Sequence, residues 1–87
     1  MERITERHLQ AQIDRLARNL PGRPFTFHTE SGLWIADEMM GTEQPERWRI
    51  RHRLVTCTTK RELFDWLYAF NAGVEYRELY AGAIPDA

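Results

Sequence analysis

The hydrophobic positions near the start of the chain recur with a helical period. Leu9, Ile13, Leu16 and Leu20 fall at i, i+4, i+7 and i+11, one stripe of a 3.6-residue repeat, and Arg7, Gln10, Asp14 and Arg18 form a polar flank. Thr5 is placed to cap this helix, Ile4 can pack on Leu9 as a hydrophobic staple, and Pro21-Gly22 stops it. From about residue 25 the period drops to two, which predicts strands over about 25–29, 33–38 and 47–57, with "MMGTEQPE" (39–46) as a loop. Helical spacing then returns. Thr59-Lys60-Arg61-Glu62 matches the S/T-x-x-E capping box, and Leu63, Leu67, Phe70 and Val74 make a second stripe flanked by Phe64 and Trp66. Gly73 either ends that helix or is passed through, and the tail "GAIPDA" is expected to fray. The elements predict an α+β fold: a two-layer α-β-β-β-α domain spanning 1–87. In it a three-stranded antiparallel meander carries both helices packed on one face.

Which side chains share a sheet face depends on the hairpin register, since a slip of one residue exchanges the two faces. A two-residue turn at Ser31-Gly32 would put Trp34 with Phe25 and Phe27 and leave Leu33 and Ile35 outside. A three-residue loop with Gly32 in the left-handed position gathers Phe25, Phe27, Leu33 and Ile35, and sends His28, Trp34 and Ala36 to the other face. The second register buries four large apolar side chains together and is the one expected. The third strand alternates strictly in "RWRIRHRLV" (47–55). Arg47, Arg49, Arg51 and Arg53 take one face, while Trp48, Ile50 and Leu54, with His52 among them, point to the core.

Charge changes the picture by its distribution. The net charge of −1 argues against a non-specific nucleic-acid coat or a DNA mimic. Residues 25–46 carry Glu30, Asp37, Glu38, Glu43 and Glu46 with no Lys or Arg, and the arginine strand follows at once. With the helices on one side, the open face is expected to hold His28, Trp34 and the Arg47–Arg49–Arg51–Arg53 ladder. Three readings follow: a solvated face whose arginines pair with carboxylates, a protein-docking or self-association surface, and a phosphate track beside rings on which bases stack.

The chemistry-bearing residues are sparse. His8, His28 and His52 have no metal-ligand spacing, and the single Cys57 completes no zinc set and excludes an internal disulfide. Cys57 precedes a helix N-terminus, where a thiolate would be stabilised, but no orienting group or oxyanion loop accompanies it. Asp37-Glu38 are adjacent in a strand and so point to opposite faces. No enzyme activity, metal or cofactor is therefore expected. No apolar run approaches a membrane span and no signal-peptide pattern is visible, so a soluble cytoplasmic protein with no membrane partner is expected.

The α-β-β-β-α order is also that of double-stranded-RNA-binding domains, with Lys60 and Arg61 where that family begins its last helix. The chain departs from them with "TCTTKRE" in place of the Gly-rich basic run and a short first hairpin loop. A wider resemblance covers both ends. Ile4, Thr5, His8 and Leu9, then Ile13, Asp14, Arg15 and Leu16, and finally Arg61, Glu62, Leu63 and Phe64 resemble the opening and closing segments of small phage- and prophage-encoded proteins of uncharacterised function. The middle, "PERWRIRHRLV", departs from the Gly/Tyr-rich strand those proteins often show. The resemblance implies a small accessory protein that binds a host or phage macromolecule stoichiometrically. The alternative is a nucleic-acid or nucleotide-binding module using the arginine ladder.

Overall fold

The computed structural model describes residues 3–40 and 50–80. Helix α1 (Glu6–Asn19) leads into strands β1 (Phe25–Glu30), β2 (Leu33–Met40) and β3 (Ile50–Cys57), and helix α2 (Lys60–Tyr80) follows. The strands form one antiparallel sheet in the order β1-β2-β3. This is the expected α-β-β-β-α arrangement.

Both helices begin where the caps place them. Thr5 is extended ahead of α1, and its backbone N–H donates to Nδ1 of His8 at 3.0 Å. A histidine thus supplies the reach-back arm that glutamate usually makes in a capping box. At α2 the Glu62 N–H donates to the Thr59 hydroxyl at 3.1 Å, while the Glu62 carboxylate accepts from the Thr58 hydroxyl at 2.8 Å, one residue further upstream. Helix α2 passes through Gly73 and continues to Tyr80.

The core lies between the helices and one sheet face. Leu9, Ile13, Leu16, Leu63 and Leu67 meet Ala36 and Cys57, and Phe25, Phe27, Trp34, Val55, Phe64 and Trp66 pack around them. The hairpin register differs from the one expected. Glu30 pairs with Leu33 across a two-residue turn, with Ser31 at φ 53° and Gly32 at φ 79°. Positive φ at both central positions matches the twist of the flanking strands, which a hairpin turn must do. Trp34 therefore sides with Phe25 and Phe27, against the helices.

Strand β3 corrects the alternation in a second way. Val55 lies opposite Ala36 and Arg53 opposite Asp37, so Leu54 is an extra residue in a β-bulge. Val55 and Cys57 have the same sequence parity as Arg51 and Arg53, yet they enter the core. Leu54 is half-buried. Ile50, expected inside, is 67% exposed, because it pairs with Met40 at the end of the sheet away from the Ala36–Val55 centre. His52 is exposed too. Met39 and Met40, expected in a loop, extend β2 by pairing with Arg51 and Ile50. Trp48, the remainder of 41–49 and the tail after residue 80 lie outside the described residues.

The second stripe on α2 runs Leu63, Leu67 and Asn71, not Phe70. Phe70 is 36% exposed and stacks on Trp66 with ring centroids 5.2 Å apart. Asn71 is buried because α1 satisfies it: its amide donates to the Gln12 carbonyl at 3.0 Å and accepts from Asn19 at 3.0 Å. Next along the seam, Glu75 takes both guanidinium arms of Arg15 and the Asn19 amide at 2.8 Å. Arg15 also lies over the Tyr68 ring at 5.2 Å. The helix pair is apolar at one end and hydrogen-bonded at the other.

Two outcomes are expected. A Cβ at Gly73 would meet nothing within 4 Å, so Gly73→Ala should stabilise the chain by about 0.5–1 kcal/mol in thermal or denaturant unfolding, the usual helix-interior difference. The Glu75 carboxyl is held down at about 2 by Arg15 first and Asn19 second. Its contribution is complete above the ordinary carboxylate pKa and is lost as pH falls from about 5 through about 2. Glu75→Gln should accordingly flatten the fall in Tm over that window, which melts at stepped pH would show.

Candidate binding face of the sheet

The two-residue turn and the bulge decide what the second sheet face presents. Thr26, His28 and Glu30 of β1, Leu33, Ile35, Asp37 and Met39 of β2, and Arg51, Arg53 and Thr56 of β3 share it by register. Among the described residues no helix packs on this side. His28, Arg51 and Arg53 stand together there as expected, while Arg47 and Arg49 lie outside the described residues. Trp34 is on the opposite face, with the Lys60 ammonium 5.4 Å from its ring centroid. Of the two rings expected beside the arginines, His28 is there and Trp34 is not, for the reason that fixed the register.

Acidic groups take the place of the tryptophan. The two guanidinium groups are about half exposed, and each lies beside a carboxylate. Arg53 Nη2 donates to Glu30 at 3.2 Å, and Arg51 Nε is 3.6 Å from Asp37 Oδ2. His28 bridges the acids, its Nδ1 at 3.0 Å from Asp37 and its Nε2 at 3.6 Å from Glu30. Asp37 is 0% exposed, and Ile35 beside it on β2 is 1% exposed. Although its neighbours are close, neither Asp37 oxygen, nor His28 Nδ1, makes a hydrogen bond of acceptable geometry.

Glu38, the next residue, turns to the helix side, as strand alternation demands. It receives Arg23 in a fork, Nε at 2.7 Å and Nη2 at 2.6 Å. Arg23 holds the Glu38 carboxyl below its usual range against the opposing effect of burial. The adjacent acids thus occupy different environments and do not act as a couple. Cys57 differs from the expectation as well: burial, and then the Glu62 carboxylate, push its thiol up, against the lowering expected from the helix N-terminus.

Among the described residues no group of three or more His, Cys, Asp or Glu is placed to hold a metal ion. No described helix is long and apolar enough to cross a membrane. A three-residue loop takes Glu30 into the loop and puts Asp37 in the inward series of β2, so the expected register separates both from His28. In the register observed, alternation from His28 leads to both. No family model, curated protein or solved structure matches the chain.

Chemically the face offers exposed cations, one exposed carboxylate and an imidazole around a buried, donor-poor acid. The contrast with Glu38 is testable. Arg23→Ala would leave that largely buried carboxylate without its fork and should destabilise the fold by about 1–3 kcal/mol in urea unfolding.

Proposed function

We infer that the chain is a small non-enzymatic accessory protein, of the phage- or prophage-encoded kind its opening and closing segments resemble. It acts in the cytoplasm by stoichiometric binding to a host or phage protein. The contact surface in this reading is the sheet face with Arg51, Arg53, His28 and Glu30, on which no described helix packs. The observation that carries it is the interleaving of charge: each described arginine on the face sits beside a carboxylate. Such a surface is close to neutral and suits a partner of mixed charge, where arginine contributes strongly to interface energetics. A phosphate backbone is best met by uncompensated cations and, for single strands, by rings. Trp34 on the other face and the pairing of the two described guanidinium groups favour the protein reading over the nucleic-acid one.

Capture of partners from host lysate on the wild-type chain, beside an Arg51→Glu/Arg53→Glu variant shown to fold, tests this reading. A stoichiometric protein partner lost in the variant is the expected result, and a partner retained by it excludes the face. Labelled single- and double-stranded oligonucleotides at about 50 and 200 mM salt serve as the counter-test, because phosphate contacts show a steep salt dependence over that range. Salt-sensitive binding abolished by the two reversals would replace the protein reading with the nucleic-acid one.

A further inference from the structure

Two carboxylates of this chain are satisfied in the same way. Glu38 sits in the fork of Arg23, and Glu75 in that of Arg15. Asp37 is more deeply buried than either and has no fork. Among the described residues neither of its oxygens takes a hydrogen bond, nor does the imidazole nitrogen that faces them at 3.0 Å. Carboxylates taken out of water without donors are strongly disfavoured, and folded chains rarely keep them.

Among the described residues nothing in the packing requires an acid there. Asp37 is outside the core cluster, and it caps no helix end. Its near neighbours His28 and Arg51 reach solvent, the latter with a half-exposed side chain, so removing Asp37 would strand no buried cation. His28 Nδ1 and Arg51 Nε are the described groups placed against the acid, 3.0 and 3.6 Å from its Oδ2.

We propose that Asp37 is a recognition carboxylate, retained at the expense of stability, whose missing fork is an arginine of the protein partner. This role for Asp37 rests on the face being the contact surface. Two unbonded oxygens on one carboxylate match the two parallel N–H donors of a guanidinium better than the single point charge of an ammonium. Entry of that arginine displaces Arg51 from Asp37 and frees it for a carboxylate of the partner. The partner's contact segment therefore carries an arginine flanked by acidic residues, the charge complement of Asp37 between His28 and Arg51, while Glu30 stays with Arg53.

The test has two parts, both on the full chain. First, Tm is measured for Asp37→Leu and Asp37→Asn. Tm should stay within about 5 °C of wild type or rise. A larger fall in the leucine variant makes Asp37 a structural anchor and overturns the proposal, since about 1 kcal/mol moves Tm by 4–8 °C in a domain of this size. Second, the amide and His28 ring resonances are followed while an acetylated Glu-Arg-Glu peptide amide is added to millimolar concentration. Its citrulline counterpart, of equal shape but without the charge, is the control. Shifts at His28, Asp37 and Arg51 with the arginine peptide alone, lost in Asp37→Asn, are expected. Shifts that are absent, equal with citrulline, or unchanged in Asp37→Asn overturn the proposal. Should these fail while the arginine reversals still abolish partner capture, the face stands and only the role of Asp37 falls.

Discussion

The turn at Ser31-Gly32 is the constraint from which the arrangement follows. Two consecutive residues with positive φ close the first hairpin in the hand that twisted strands demand. That choice fixes the parity of every side chain on β1 and β2. It places Phe25, Phe27, Trp34 and Ala36 under the helices and turns His28, Glu30, Ile35 and Asp37 away from them. A serine in the left-handed region is unfavourable by itself, as for any residue with a Cβ. Partial burial of Trp34 with the two phenylalanines offsets it, since a large side chain contributes on the order of 1.5–3 kcal/mol when fully removed from water and a share of that when half-buried.

The helices solve a different problem. Their leucines and isoleucine cover a sheet of only three strands, which leaves too little apolar surface to line the whole interhelical contact. Past Leu16 and Leu67 the seam becomes polar, and Asn19, Asn71, Arg15 and Glu75 satisfy one another across it. Hydrogen-bonded side chains demand more exact placement than hydrocarbon does. The seam therefore sets the axial register of α2 against α1 more sharply than the leucine stripe alone.

What the sequence discloses follows from the range of the forces involved. Element order, both capping threonines and the α1 stripe are local patterns, and the chain shows them directly. So does the company of His28 with Arg51 and Arg53, because β3 alternates faithfully as far as Arg53. Three features were not legible. The hairpin register depended on whether four aliphatic and aromatic groups or a tryptophan trio would be buried, a balance settled by turn geometry. The bulge at Leu54 leaves no compositional mark. Asn71 entered the core in place of Phe70 because Gln12 and Asn19, some fifty to sixty residues away, supply its partners. The stripes 12–15–19 and 68–71–75 do carry helical spacing on both elements, and that was the available signal. Asp37 and Glu30 became visible as companions of His28 only once the register was known.

The bulge at Leu54 separates β3 into two lengths under unlike pressures. Beyond it, Val55 and Cys57 answer to the packing of the core; before it, Arg51 and Arg53 answer to whatever lies outside. A single inserted residue thus acts as a phase changer, letting one strand carry the same odd-numbered series into two environments. Its loss would not be a small shortening. With the tail end of the strand anchored by the core, the preceding half would rotate by one face, turning both guanidinium groups toward the helices and His52 outward. The strand's length at this one point is thereby under stricter control than the identity of the residue that occupies it.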